Sequence, residues 1–315
     1  MPGRRPSHRG WMPVEAPRRP VLFINPASGG GKASRADLAR LAHERGVEPM
    51  VLEPGNDLET LVLEAVADGA DALGMAGGDG SLATVAAAAS THGLPFVCVP
   101  AGTRNHFARD LGVVRHDLVG ALDAFTDGLE RSIDLGEVNG RPFINNVSLG
   151  IYGDAVQQAG YRDAKVRTLL QTAEEVLGPT APPPPTLFVV DDLGRDHPHP
   201  AVVLVSNNPY ALDVPPLVGT RPALDGGRLG IVVLDAPPDP PHGLGRAWTA
   251  PSFELTAGEP VAAGLDGEAI TLEPPLRFRI LPAALRVRIS SRHPGVSPSA
   301  RLPPRSRPRR SGREP

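Results

Sequence analysis

Gly77-Gly78-Asp79-Gly80-Ser81 lies between an apolar run, 71–76, and an alanine-rich run, 82–89. The run before it has the composition of a buried strand, and the run after it has that of a helix. Four of the five residues favour tight or left-handed backbone, which predicts a sharp turn. A plain helix-capping turn with Ser81 as N-cap would not explain three glycines. We therefore predict a functional turn in which Asp79 orients a metal-bound nucleotide or accepts hydrogen bonds from backbone amides.

Two further loops repeat this plan of strand, glycine-containing loop and helix, and we number the three loops in chain order, with Gly77–Ser81 as the second loop. The first loop is Asn25-Pro26-Ala27-Ser28-Gly29-Gly30-Gly31-Lys32, which follows the strand-like run 21–24. The third loop spans 100–109, follows the run 95–99 and contains Gly102. Glycine lets backbone N–H groups approach phosphate oxygens closely, and the N-terminus of the next helix adds a favourable dipole. Both loops are therefore candidates for binding phosphate.

The first loop matches neither of two common phosphate-binding patterns. It is not a Walker A loop, because Pro26 occupies the first glycine position and Ala33 follows the lysine. It also fails the GxGxxG pattern, since Ser34 stands at the late glycine. In the third loop, Thr103 and Asn105 can donate hydrogen bonds to phosphate or ribose oxygens. Open α/β sheets bind ligands at the carboxyl edge of their strands, so all three loops are expected to meet there.

Strand and helix patterns alternate as far as residue 131, which predicts an α/β domain with a parallel sheet over residues 20–131. Beyond it, short strand-like runs are separated by turn residues and interrupted by one amphipathic helix at about 154–177. This second pattern predicts an antiparallel β-sandwich over residues 132–290. The expected fold class is therefore an α/β N-terminal domain with a parallel sheet plus a β-sandwich C-terminal domain.

One turn in the second domain carries two carboxylates. Asp266 and Glu268 flank Gly267 between two strand-like runs. An Asp-Gly pair is a common hairpin turn, and this segment alone predicts no more than that.

Composition excludes several classes of protein. The single cysteine, Cys98, rules out a disulfide framework and a cysteine-rich metal site. No run approaches the roughly 20 apolar residues that span a bilayer. The arginines near the N-terminus have no apolar segment behind them, unlike a secretory signal, so we expect a cytoplasmic protein.

Both ends of the chain are basic and rich in proline and serine. Residues 1–20 carry five Arg and one Glu, and residues 294–315 carry six Arg and one Glu. We expect residues 1–19 and 291–315 to be disordered tails. Two interpretations stay open: solvated tails, or attachment to anionic lipid at the inner face of the membrane, at about 1 kcal/mol per basic residue. The acidic middle of the chain argues against a nucleic-acid partner.

Together these segments resemble the diacylglycerol kinase catalytic family, which includes YegS-like lipid kinases and relatives of sphingosine kinase. The resemblance covers about residues 20–290. Six segments carry it in order: Asn25-Pro26-Ala27-Ser28-Gly29 (NPxSG), Gly77–Ser81 (GGDGT), Pro100–Ala108 (PxGTxNDFA), Asn145–Gly150, Leu224–Leu229 and Asp266-Gly267-Glu268 (DGE). Each segment is a weak signal, but the ordered set is highly specific.

The resemblance implies a lipid kinase that uses ATP with Mg²⁺. It carries nucleotide binding to Asn25, Pro26, Ala27, Ser28, Gly29, Gly77, Gly78, Asp79, Gly80, Ser81, Gly102, Thr103 and Asn105. It makes Glu268 or Asp266 the general base that takes the lipid hydroxyl proton, with Asp79 as a further catalytic residue. It also implies a structural metal near Asp225, held with the carbonyls of Pro222 and Gly227.

Two departures from the family pattern stand in the motifs. Ser81 replaces threonine but keeps the hydroxyl, and His106 replaces an aspartate with a group that is often neutral at pH 7. Two rival functions stay open: an NAD kinase, which shares a GGDG turn, and a non-catalytic lipid- or nucleotide-binding protein of the same fold. The sequence leaves the acceptor lipid and the oligomeric state open, with a homodimer among the possibilities.

Overall fold

A computed structural model describes residues 10–150, 186–197, 200–212, 219–235 and 245–301. The helix predicted at about 154–177 lies outside these residues. Seventeen strands lie in the described part of the chain. They are β1 (Met12–Pro13), β2 (Pro20–Ile24), β3 (Glu48–Val51), β4 (Ala72–Ala76), β5 (Phe96–Val99), β6 (Gly128–Val138), β7 (Arg141–Phe143), β8 (Asn146–Gly150), β9 (Leu187–Val190), β10 (Asp196–His197), β11 (Pro200–Asn207), β12 (Leu229–Asp235), β13 (Arg246–Ala250), β14 (Ser252–Ala257), β15 (Val261–Leu265), β16 (Glu268–Leu272) and β17 (Leu276–Ser290).

Helices are confined to the N-terminal half of the described residues, apart from one short turn at the C-terminal end. They are α1 (Lys32–Arg35), α2 (Leu38–His43), α3 (Leu58–Ala67), α4 (Asp79–Thr91), α5 (His106–Asp110) and α6 (Leu118–Ala121). Short 3₁₀ turns cover Ser28–Gly30, Leu122–Phe125 and Pro298–Arg301. The helical segment after the first glycine-containing loop is split, because Asp37 adopts a left-handed conformation with φ 51° between α1 and α2.

The predicted parallel sheet is present, with β3, β2, β4 and β5 side by side in that order. Every residue of β2, β4 and β5 is buried, as expected for strands covered by helices on both faces. Alternate side chains enter two different cores: Phe23 and Met75 face the core that contains α3 and α4, whereas Leu22 and Ala76 face the core that contains α2 and α6. This sheet places the three glycine-containing loops at one edge.

The second sheet has six antiparallel strands in the order β13-β12-β11-β8-β15-β16. Its inward side chains, such as Val203 and Ala263, share one core with side chains of the large sheet, such as Phe253 on β14 and Phe278 on β17. The strands of the second half therefore form two layers, as the turn-rich pattern predicts.

The long strand β17 changes the expected domain division. It pairs with β14 in the second half, and then runs parallel to β5 in the first sheet. It also pairs with β6 over most of its length. The expected boundary at 131/132 falls inside β6, and the chain returns to the N-terminal sheet at its C-terminal end. The two sequence-defined domains therefore share strands, because β6 and β17 are long enough to line both cores.

Parts of the two segments expected to be disordered tails, residues 10–19 and 291–301, belong to the folded structure. Strand β1 pairs with β6, and the Trp11 indole is buried and donates a hydrogen bond to the Gly295 carbonyl at 2.7 Å. His293 and Ser297 are also buried. Residues 10–19 and 291–301 are thus packed on the fold, because an aromatic side chain and backbone groups find partners there. Across the described part of the chain, no helix has the length and apolar character needed to cross a bilayer.

Candidate functional site

The first glycine-containing loop is a tight turn that ends strand β2. The Asn25 carboxamide oxygen accepts a hydrogen bond from the Ala27 N–H at 3.0 Å, and the Ser28 N–H donates to the Asn25 carbonyl at 3.2 Å. Gly29 and the two glycines after it have positive φ values of 58°, 69° and 83°. Side chains are disfavoured in that region, so the glycines make this turn possible.

The first and third loops touch through their backbones. A methyl group added at Gly29 would overlap the Ala101 carbonyl oxygen and lie 3.2 Å from the Gly102 carbonyl carbon. The Lys32 ammonium group donates to the Gly102 carbonyl at 3.0 Å. Lys32 was not among the predicted binding residues, although it closes the first loop onto the third.

The second and third loops are in contact as well. A methyl group added at Gly102 would lie 2.8 Å from the Gly78 Cα and 3.0 Å from the Gly77 carbonyl oxygen. The Asp79 carboxylate accepts hydrogen bonds from the His106 and Phe107 N–H groups at 3.4 and 3.3 Å. Asp79 therefore joins the second loop to the first turn of α5. The three loops meet at one edge of the sheet, as predicted.

Helix α4 begins at this meeting point. Gly78 is its N-cap, in extended conformation, and within the described chain no side chain caps the helix. Ser81 is therefore not the N-cap and lies in the first turn. A methyl group added at Gly30 or Gly78 would meet no described atom within 4 Å, so the space over both turns is open. An uncapped N-terminus beside open space can bind an anion through its N–H groups.

Asn105 has a different role from the one predicted. Its side-chain amide donates to the carbonyls of Pro100 and Gly102 at 3.0 and 2.9 Å, and the residue is buried. Both N–H groups are therefore used inside the third loop, and they hold its backbone in place instead of contacting a nucleotide. Thr103 is exposed at the same loop.

The two carboxylates of the β15–β16 hairpin face different surroundings. Asp266 and Gly267 form the turn with φ values of 51° and 90°, which suits an Asp-Gly hairpin. The buried Asp266 carboxylate accepts hydrogen bonds from the N–H groups of Ile144, Asn145 and Asn146 at 2.8, 2.7 and 3.1 Å. Asp266 thus ties the hairpin to the segment before β8.

Glu268 reaches the glycine-containing loops. A methyl group added at Gly80 would overlap Glu268 Oε1 and lie 2.9 Å from Glu268 Cδ. The carboxylate therefore lies against the first turn of α4, one residue from Asp79. The structure brings Glu268 and the glycine loops together from two different sheets, which is the juxtaposition that the DGE pattern predicts.

Two titratable groups near the site have pKa values shifted from their usual range. Burial raises the pKa of Asp266 to about 7, against the opposing effect of the three N–H donors and of the Arg221 charge. Burial also lowers the pKa of His106, and the neighbouring Asp79 and Asp110 carboxylates only partly offset it. The His106 ring is therefore neutral at pH 7, so it does not supply the charge of the aspartate that is usual at its position.

A buried arginine that the sequence did not single out lies behind the hairpin. Arg221 is fully buried and its Nε donates to the Asp110 carboxylate on α5 at 2.7 Å. Burial works against the charged form, but Asp110, Tyr210 and Asp266 together outweigh it and leave the pKa of the Arg221 guanidinium above its usual range. No local sequence pattern reveals this pair, because 111 residues separate its members.

The predicted structural metal site does not fit the side chains around it. Asp225 forms an ion pair with the Arg131 guanidinium. The Gly227 N–H donates to the Asp134 carboxylate at 2.7 Å, so the segment after Pro222 is held by protein groups. Among the described residues, no cluster of three or more His, Cys, Asp or Glu side chains could hold a metal ion. A guanidinium next to Asp225 opposes a bound cation, so we assign no metal to this segment.

Glycine-containing loops at the carboxyl edge of a parallel sheet thus face a carboxylate from a second sheet. Residues 19–138 match the model of the diacylglycerol kinase catalytic domain. A relative from Pseudomonas aeruginosa PAO1, named "Probable lipid kinase YegS-like", is 30% identical over 317 residues, covering 90% of this chain and 97% of the relative. The chain belongs to this diacylglycerol kinase and YegS-like family of lipid kinases.

Two further comparisons cover different parts of the molecule. The diacylglycerol kinase of Mycobacterium tuberculosis H37Rv is 37% identical over 123 residues, which are 38% of this chain and only 40% of that kinase. The crystal structure of a diacylglycerol kinase from Bacillus anthracis strain Sterne superposes with a TM-score of 0.59 at 18% identity, over 86% of this chain and 96% of that one. The superposition shows that the overall fold is shared.

Proposed function

We propose that the protein transfers the γ-phosphoryl group of ATP to the hydroxyl group of a membrane lipid, with diacylglycerol as the first candidate acceptor. One observation carries the proposal: Glu268 of the β15–β16 hairpin lies against Gly80 in the first turn of α4. A carboxylate from the second sheet therefore stands where three glycine loops converge. The names of the relatives, diacylglycerol kinase and lipid kinase, support a lipid acceptor.

The loops suit the polyphosphate of a nucleotide. The uncapped start of α4 and the open space at Gly78 offer backbone N–H groups and room for phosphate oxygens. Lys32 adds a positive charge beside Gly102. Proteins usually bind Mg²⁺ through one or two carboxylates together with substrate phosphates and water, so a large acidic cluster is not needed. Asp79 is the candidate carboxylate, and the bound ion would neutralise phosphate charge.

Glu268 is the proposed general base. The lipid hydroxyl oxygen attacks the γ-phosphorus, the bond from that phosphorus to the β,γ-bridging oxygen breaks, and ADP leaves. Glu268 accepts the hydroxyl proton as the new P–O bond forms. Phosphoryl transfer depends mainly on positioning and on charge stabilisation, so this carboxylate also orients the hydroxyl group.

Asp266 is a poorer base than Glu268 in this geometry. Both of its oxygens already accept backbone N–H groups, and the side chain is buried. Glu268 is exposed and can meet a substrate. Asp266 therefore shapes the hairpin, and Glu268 carries the chemistry.

The proposal predicts that Glu268→Gln lowers kcat by about 10²–10⁴-fold, because the amide cannot accept the proton. The matched control is Glu259→Gln, since Glu259 is an exposed glutamate in the turn before β15. Labelled ATP is supplied with vesicles that contain diacylglycerol, sphingosine, ceramide or a polyprenol, and with NAD in a separate arm.

Label in a lipid product that depends on Glu268 and not on Glu259 would support the proposal. Label in NADP alone would replace it with the NAD kinase alternative. Absence of transfer to every acceptor, with ATP still bound, would favour a non-catalytic binding protein.

A further inference from the structure

Arg221 makes more contacts than a structural ion pair needs. Its Nε and backbone N–H both donate to Asp110, at 2.7 and 3.0 Å. Nη1 donates to the carbonyls of Ile144 and Asn207 at 2.6 and 2.8 Å, and Nη2 donates to the Asn145 side-chain oxygen at 2.8 Å. One buried guanidinium thus connects α5, the segment before β8 and the end of β11.

The hydrogen bonds between Arg221 and Asp110 connect the guanidinium to the glycine loops through α5. Asp110 is the last residue of α5, a helix of five residues. The Asp79 carboxylate accepts the N–H groups of His106 and Phe107 at the other end of the same helix. Helix α5 therefore links Asp110, which binds Arg221, to the residues that bind Asp79.

The other contacts of the Arg221 guanidinium lead to the hairpin that carries Glu268. Arg221 binds the carbonyl of Ile144 and the side chain of Asn145, and the N–H groups of both residues donate to Asp266. Asp266 is two residues before Glu268 in the hairpin. Arg221 therefore binds oxygen atoms of the segment 144–145, and Asp266 binds the backbone N–H groups of the same segment.

We propose that Arg221 is a positioning residue that fixes the Glu268 carboxylate relative to the nucleotide loops. This inference rests on the proposed role of Glu268 as the base. The contacts form a closed chain that runs from Gly80 and Asp79 through α5 to Arg221 and on through Asp266 to Glu268. Glu268 in turn lies against Gly80.

Arginine suits this position and lysine does not. The planar guanidinium has five N–H donors in a fixed arrangement and here serves four separate acceptors at once, whereas an ammonium has three donors on a flexible stem. Arg221→Lys keeps the charge next to Asp110 but cannot reach all the acceptors. The substitution therefore tests position separately from charge.

The test compares Arg221→Lys with Arg288→Lys. Arg288 is a nearly buried arginine in an ion pair with Glu130, and no contact links it to the hairpin among the described residues. We expect Arg221→Lys to lower kcat by about 10²-fold, since a misplacement of about 1 Å can have that effect, with KM for ATP near the wild-type value. Arg288→Lys should leave kcat unchanged. Equal losses of kcat in the two variants would overturn the proposal.

A double substitution shows whether Arg221 acts through Glu268. If it does, Arg221→Lys added to Glu268→Gln lowers kcat little further, because the group being positioned is already lost. Losses that multiply would mean that Arg221 acts independently, and would overturn the proposal.

A measurement without turnover separates this inference from the proposed function. In hydrogen exchange, Arg221→Lys should speed exchange of the Ile144, Asn145 and Asn146 amides and leave the amides of β4 unchanged. If the wild-type protein phosphorylates no lipid, the proposed function fails, and the exchange result still decides whether Arg221 holds this segment. Unchanged exchange at 144–146 would overturn the positioning role.

Discussion

Gly80 is the residue at which the two halves of the candidate site come closest. It lies inside α4, where glycine is less favourable than alanine by about 1 kcal/mol, and its φ is not positive. The helix therefore gains no conformational benefit from glycine here. The space that a side chain would fill is occupied by the Glu268 carboxylate.

Gly80→Ala should therefore separate stability from activity. The methyl group would lie 2.9 Å from Glu268 Cδ and push this flexible side chain away from α4. We expect a melting temperature equal to or above that of the wild type, because alanine favours the helix, and a kcat lowered about tenfold or more by displacement of the base. Calorimetry and lipid phosphorylation assays measure the two effects.

Gly258→Ala is the control for this substitution, since a methyl group there meets no described atom within 4 Å. If Gly80→Ala keeps full activity, the contact between Gly80 and Glu268 has no bearing on catalysis.

Single residues also show where sequence reasoning stops. The Asp-Gly-Glu pattern led to the contact between Glu268 and Gly80, because a family motif records residues that act together. Asn105 was misassigned, since the sequence does not show that its amide bonds its own loop. Arg221 was missed, because its partners come from three distant segments and none stands beside it in the chain. Long-range polar contacts of this kind leave no local pattern.

Among the elements, strands and glycine loops were the most predictable. Runs such as 21–24 and 95–99 are short, apolar and followed by glycine, and they appear as β2 and β5. The helical segment after the first glycine loop is split at Asp37, because that residue adopts a left-handed conformation. The spacing of apolar residues alone does not predict such a break in a helix.

The terminal segments are the elements that differ most from expectation. The Trp11 indole donates to the Gly295 carbonyl at 2.7 Å, the Gly295 N–H donates to the Gly112 carbonyl at 3.3 Å, and His293 Nδ1 accepts from the Val114 N–H at 3.3 Å. Proline, serine and arginine suggested disorder, but a single buried tryptophan is enough to anchor such a segment. The segment around Gly295 thus packs against the loop after α5.

Deletion of residues 293–315 should therefore destabilise the fold, whereas deletion of residues 302–315 removes none of these contacts. The longer deletion removes these three hydrogen bonds and a fourth from the His293 N–H to the Ser290 carbonyl, each contributing about 1 kcal/mol, and exposes the Trp11 ring. We expect a clear fall in the free energy of unfolding for the longer deletion alone, measured by urea denaturation. Equal stability of the two truncated proteins would show that the segment 293–301 does not hold the N-terminal strand.

At the scale of the whole molecule, β17 makes the two halves depend on each other. Leu285 and Val287 of this strand belong to the core beside α4, whereas Leu276 and Phe278 belong to the core shared with the second sheet. The pattern of strands and helices changes near residue 131, which predicted two domains. Strand pairing between residues more than 100 positions apart cannot be read from that change, so the shared strand was not anticipated.

The shared strand predicts that both halves unfold together, and the two tryptophans of the chain allow a direct test. Trp11 belongs to the first core, and Trp248 packs on the second with its ring 5.7 Å from that of Phe253. Trp248→Phe leaves a fluorescent reporter in the first core, and Trp11→Phe leaves one in the second.

In each variant, urea denaturation followed by fluorescence and by far-UV circular dichroism should give one coincident transition, because β17 cannot leave one core and keep its register in the other. A fluorescence midpoint that departs from the dichroism midpoint in either variant would show that the halves unfold separately. The Glu268 hairpin could then lose its contact with Gly80 while the glycine loops stay folded.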